Sequence, residues 1–166
     1  MTFSELLLVE FDEETKKTRK ILECVPEGRF VWKPHEKSMP LGRLAGHVAE
    51  LPGRAASIVR QETLVRMPGY VPFSATTRED LMEKFESESA DGRSAIQELR
   101  EDQLAAVWTV KFGDTVYLQL PRSSALRAIC MNHLVHHRAQ LGVYLRLLDI
   151  PVPGIYGPSA DDRLQA

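Results

Sequence analysis

Apolar positions recur every three or four residues over most of the chain and predict four long helices. Over residues 2–25, Leu7, Phe11, Ile21, Leu22 and Val25 share one face. Thr2 and Glu5 have capping-box spacing there, and Pro26 and Gly28 end the run. A second helix starts near residues 38–41, with a stripe of Leu41, Leu44, Val48, Leu51, Ala55 and Ile58, and is over by residues 67–72. Pro52 lies inside it and predicts a kink. A third opens at SATTRED, where Thr76 and Glu79 again have capping-box spacing, and buries Leu81, Phe85, Ala95, Ile96 and Leu99. Residues 107–120, VWTVKFGDTVYLQL, switch to alternation around Gly113-Asp114, which predicts a small β-hairpin. The fourth helix runs from about Ser123 to Asp149 with Leu126, Ile129, Cys130, Leu141, Tyr144 and Leu148 on one side. A Pro/Gly-rich tail without periodicity follows.

The helical stripes carry polar breaks. NHLVHHRAQL, residues 132–141, holds three of the five histidines. On a wheel continued from Leu126, His133 and His137 sit four apart and point inward, with His136 at the stripe's edge and Arg138 on the outer, solvated face. Two imidazoles at i and i+4 can share one metal ion, and a catalytic metal wants a third protein ligand and an open position. His47, in LGRLAGHVAEL, is a better third ligand than His35, which follows a proline in a loop. Gly42 and Gly46 leave room beside His47 for a ligand or another helix. Glu14 and Thr18 interrupt the first helix, and Glu88 and Gly92 the third, so the breaks can share one polar layer, as in cofactor-bearing bundles. The plainer reading puts Glu14 and Glu88 in solvent at a splayed edge. Gln140 lies toward the site and can orient a ligand. Cys130 reads as core filler, and Cys24 has no evident role.

Composition narrows the class. The chain has 166 residues, 43% hydrophobic and 27% charged, enough for one domain with a core. A net charge of −2 argues against a nucleic-acid partner, which needs a basic excess. No apolar run is long enough to span a membrane. Acidic residues stand near the start where an export signal needs bases, and two distant cysteines suit a reducing compartment, so a cytoplasmic protein is expected.

Three stretches together resemble the DinB/YfiT-like metalloenzyme family over nearly the full length. NHLVHHRAQLGVYLRLLDIPVPGIYGPSADD is similar to its closing segment. WKPHEKSMPLGRLAGHVAEL is similar to the segment bearing its first histidine, and VWTVKFGD with LQLPRSSALRAICMNHLVHHRAQ to its hairpin and last helix. HxxxH alone is a weak signal; joined to HRAQ and an upstream GHVAEL it is fairly specific. Ala139 stands where glycine is common. The resemblance implies an up-down-down-up bundle, often a homodimer, with a divalent metal held by three histidines, here His47, His133 and His137. It also implies zinc or nickel as the metal, and thiol S-transferases and metal-dependent hydrolases among the relatives.

The expected fold is therefore all-α: an antiparallel four-helix bundle in up-down-down-up order, one domain over residues 1–166, with a small β-hairpin inserted before the last helix. The expected function is a metal-dependent enzyme that activates water or a low-molecular-weight thiol against a small-molecule substrate. Zinc or nickel leads as cofactor, with manganese and iron as further candidates, since imidazole suits several metals. Glu14, Glu88 and His136 are the candidate proton acceptors. The rival is a non-catalytic, stress-related helical protein that binds metal or ligand without turnover. Substrate and reaction are not legible in these residues.

Overall fold

The computed structural model describes residues 2–162. The first helix, α1 (Phe3–Glu23), starts at a complete capping box. Thr2 Oγ1 accepts from the Glu5 amide at 3.2 Å, and the Thr2 amide donates back to Glu5 Oε2 at 2.8 Å. These bonds satisfy two groups that a helix end otherwise leaves orphaned. The second expected helix is two: α2 (Leu41–Glu50) and α3 (Arg54–Arg60), interrupted at Pro52, which lacks the amide a continuous ladder needs. The third, α4 (Arg78–Glu98), is capped one residue later than its spacing predicts. Thr77 is the N-cap and accepts from the Asp80 amide at 3.1 Å, while Thr76 bonds the Asp80 carboxylate. The last helical stretch comprises α5 (Arg122–Ala125), a π-helical segment (Leu126–Asn132) and α6 (His133–Leu147).

The all-α bundle with a simple hairpin insertion does not hold. The hairpin of β2 (Val107–Phe112) and β3 (Thr115–Pro121) forms, with Gly113 at φ +56 in its turn. A further strand, β1 (Thr63–Arg66), lies parallel to β2, so the chain has a three-stranded mixed sheet in the order β1-β2-β3. Residues 63–66 are expected as the end of the second helix; α3 stops at Arg60 and the chain turns into the sheet. TLVR is too short to show an alternating period, and a parallel partner more than forty residues away leaves no local trace. The protein remains mainly helical, about 55% helix and 11% strand.

Trp108, fully buried in β2, joins sheet to helices by donating from Nε1 to the Ser57 carbonyl at 3.3 Å. Buried Arg122 does similar work at the start of α5. Its Nε donates to the Ile58 carbonyl at 2.7 Å and its Nη2 to that of Gln61 at 3.3 Å, satisfying acceptors at the end of α3.

Two apolar clusters make the core. One gathers Ile21, Leu22, Leu44, Val48, Leu81, Phe85, Leu134, Leu141 and Leu145. The other gathers Leu7, Phe11, Ile58, Ile96, Trp108, Leu126, Cys130 and Met131. Between the two sets along α1 lie Glu14 and Thr18, and both meet Arg138 of α6. Part of the expected polar layer is thus present. Among the described residues no helix is long and apolar enough to cross a membrane.

Candidate metal centre

The centre is built by α2 and α6, which pack on each other. His47 stands on α2 beside a fully apolar stripe of Leu44 and Val48. His133 and His137 stand one turn apart at the start of α6. All three are half-buried, so the site lies at the rim of the core. The three Nε2 atoms converge: His47 Nε2 is 3.3 Å from His133 Nε2, and His137 Nε2 is 2.9 Å from His133 Nε2. The ring centroids are 4.6–5.0 Å apart.

This geometry suits one shared ion. Imidazole ligands at 2.0–2.1 Å from a metal put neighbouring donor atoms about 2.9 Å apart in an octahedral shell and about 3.3 Å apart in a tetrahedral one. The tautomers suit it too. Gln140 Oε1 can only accept, so His137 donates to it from Nδ1 at 2.7 Å and leaves its Nε2 lone pair toward the other two rings. His47 Nδ1 is buried without a hydrogen-bond partner, at 3.9 Å from Glu50 Oε2. That contact is electrostatic, too long for a hydrogen bond. Burial pushes the Glu50 carboxyl up, but His47, Arg43, Arg54 and Lys84 outweigh it and hold it below the usual carboxylate range. An ionised carboxylate thus stands behind a candidate ligand, an arrangement that orients imidazoles at metal sites.

Burial, with His47 and His137 alongside, pushes His133 down to about 4. Burial also lowers His137, against the opposing pull of Gln140. Both rings are therefore neutral at neutral pH, the form that binds metal. Sequence reading missed Glu50, although the i+3 carboxylate in HVAE was there to be noticed.

The other candidate residues lie elsewhere. His136 is exposed, its ring 4.8 Å from that of His137. Glu88 is half-buried and paired with Lys84 at 2.5 Å. His35 is exposed in its loop and accepts from the Lys37 amide at 3.1 Å. The room beside Gly42 and Gly46 is filled: a Cβ on Gly42 would meet the Ala75 carbonyl and Phe30, and one on Gly46 would meet Phe73.

Two placements correct the wheel. Glu14 is buried at 5% exposure and Arg138 at 2%, and they pair at 2.6 Å. Arg138 Nη1 also donates to the Glu14 carbonyl at 3.0 Å and Thr18 Oγ1 at 3.1 Å. Tyr156, from the tail, donates to Glu14 Oε2 at 2.6 Å, and Lys17 reaches Glu14 Oε1 at 3.0 Å. Burial works to raise the Glu14 carboxyl, but Tyr156, Lys17 and Arg138 outweigh it and hold it below the usual range. The cause of the Arg138 misplacement is the π segment, and Glu14 is buried because Arg138 arrives to pair with it. Bonds from i to i+5 fit one extra residue into the turn, so a wheel turned at roughly 100° per residue runs about one residue ahead beyond it. Within the π segment Leu126, Cys130 and Met131 are buried, and beyond it Leu134, Arg138, Leu141 and Leu145 follow at three or four. Arg138 comes inward, and His133 and His137 move to the side of the stripe.

The family model described as the DinB superfamily matches residues 10–141. A DinB-like protein from Bacillus cereus has a similar structure, with a TM-score of 0.69 at 20% identity, covering 92% of this chain and 97% of its own. A DinB-like protein from Bacillus subtilis has a TM-score of 0.66 at 18% identity, covering 96% of this chain and 99% of its own. At these identities the likeness speaks for the fold alone. No curated protein matches the chain. The matched span includes His47, His133 and His137, and with it the chain belongs to the DinB superfamily.

Proposed function

We propose that His47, His133 and His137 hold one divalent metal ion and that the chain is a metal-dependent enzyme of hydrolase or thiol S-transferase type. The carrying observation is the convergence of three Nε2 atoms, at 2.9 and 3.3 Å, at the rim of the core. An all-imidazole donor set suits zinc or nickel, with iron also accepted, and suits manganese less. A divalent ion in such a site lowers the pKa of a coordinated water or thiol and supplies hydroxide or thiolate near neutral pH.

The chain's own groups do the rest. Gln140 fixes the His137 tautomer, and Glu50 stands behind His47. The Glu14–Arg138 pair holds α6 against α1 and so sets the height of the two α6 histidines. Glu14 is committed to that pair, and Glu88 to Lys84. His136, exposed and edge-on to His137, is the best placed of the three candidates to take a proton from an incoming substrate. The partner is a small molecule, with a low-molecular-weight thiol as the nucleophile in the transferase form, and the protein works as a cytoplasmic homodimer.

Elemental analysis of untagged protein tests the reading. We expect about one metal per chain in the wild type and its loss in His47→Ala, His133→Ala and His137→Ala. Wild-type protein that takes up no zinc, nickel or manganese would sink the proposal. A metal with no exchangeable water would favour the non-catalytic alternative.

A further inference from the structure

Arg43, His47, Glu50 and Arg54 follow one another at intervals of four, three and four residues. Leu51 (φ −66, ψ −35) and Gly53 (φ −67, ψ −11) keep right-handed helical angles around Pro52. The break between α2 and α3 therefore leaves these four residues on a common face. Glu50 sits in the middle, 3.9 Å from His47 Nδ1 and 3.6 Å from Arg43 Nη1. The stripe is a row of charge leading away from the three histidines.

Its two arginines differ. Arg43 is engaged: besides facing Glu50, its Nη1 donates to the Phe73 carbonyl at 3.1 Å. Buried Arg122 and Arg138 likewise have carbonyl or carboxylate partners. Arg54 is half-buried, yet among the described residues its guanidinium makes no hydrogen bond and no ion pair. Long side chains on a helix lean toward its N-terminus, the direction in which Glu50 and His47 lie from Arg54. Its charge is felt at Glu50 and His133, and also at Arg43 and Cys130. Arg43 and Arg54 thus both act on the Glu50 carboxylate, and the Arg54 fork has no hydrogen bond or ion pair among the described residues. Such a fork matches a carboxylate with two parallel hydrogen bonds.

We infer that Arg54 is the carboxylate anchor of this site, and that its substrate is a small organic acid laying its acid group on that guanidinium and its reacting end against the three histidines. This rests on the reading of those histidines as the reaction centre. His47 and Arg54 are seven residues apart, a rise of roughly 10 Å. The span suits a small acid rather than a polymer.

The test compares mercaptoacetate with its methyl ester, which differ only in the acid group. On the full chain loaded with cobalt(II), the optical thiolate band reports binding. We expect the acid to bind at least tenfold more tightly than the ester, Arg54→Gln to erase the difference, and Arg54→Lys to keep part of it. Thermal stability changes little, because the guanidinium has no hydrogen bond or ion pair to lose among the described residues. Equal affinities in the wild type, or a preference that survives Arg54→Gln, would overturn the inference while leaving the metal reading intact. If the chain takes no metal, the Arg54 Nε–H resonance of the metal-free protein decides the matter. A shift with the acid and none with the ester supports the anchor, and no shift with either overturns it.

Discussion

At the scale of single residues, the centre depends on groups that orient its imidazoles as much as on the imidazoles. Gln140 is the clearest case. Its carbonyl oxygen holds the His137 Nδ1 proton at 2.7 Å and so keeps Nε2 free for a metal. Gln140→Ala removes that hold and leaves all three histidines in place. We expect metal affinity to fall ten- to a hundredfold with little loss of stability, as for other outer-shell partners of ligating histidines. Competition with a chelator of known affinity measures it; an unchanged affinity would mean that packing alone orients His137. Gln140, His133 and His137 were legible in sequence as candidates because spacing on one helix is local information, and His47 because GHVAEL resembles the family's first-histidine segment. Glu50 was legible in principle from its i+3 position, but only the fold shows it beside His47 Nδ1.

At the scale of elements, the π segment decides what α6 presents to the core. An extra residue in the turn over Leu126–Asn132 swings the downstream stripe so that Leu134, Arg138, Leu141 and Leu145 face inward. If that turn is a one-residue insertion, deleting exposed Ala128 closes it into ordinary α-helix without turning either flank. We expect the deletion variant to fold cooperatively, with near-wild-type helix content by circular dichroism. A chain that no longer folds would show that the wider turn itself is required. Hydrophobic periodicity does not reveal such a turn in advance, since Leu, Ile, Cys and Met fill LRAICMN whichever way it winds. The same limit hid β1, whose four residues find their partner only across the intervening α4.

At the scale of the whole molecule, a polar junction joins three distant parts of the chain. Glu14 of α1, Arg138 of α6 and Tyr156 of the tail meet through bonds of 2.6–2.8 Å. Removing one member of a buried pair costs about 3–5 kcal/mol, because the other charge is left without a partner. Glu14→Gln should therefore destabilise the protein by roughly 3 kcal/mol at neutral pH. The folded-state pKa of Glu14 lies below its ordinary value of 4.5. Its contribution is then complete above that value and is lost as pH falls through the lowered folded pKa. Urea unfolding of both proteins across pH 3–7 checks the sign. The gap should be widest at pH 7 and close toward pH 3; a gap independent of pH would assign the effect to packing.

The sequence by itself determined the helical character, the capping box at Thr2, the hairpin at Gly113, the break at Pro52 and the His133–His137 pair one turn apart. Each of these rests on contacts within a few residues, so spacing and residue type suffice. Tertiary structure alone decided that β1 completes a mixed sheet, that Arg138 and Glu14 pair in the core, and that Tyr156 ties the tail to them. It also brought His47 of α2 to the two histidines of α6, and left Arg54 without a hydrogen bond or ion pair among the described residues. These outcomes depend on partners brought together from far along the chain, or on a helical phase set by hydrogen bonding that residue types do not encode. A buried charge becomes tolerable only when such a partner arrives, and the partner's identity is a property of the fold.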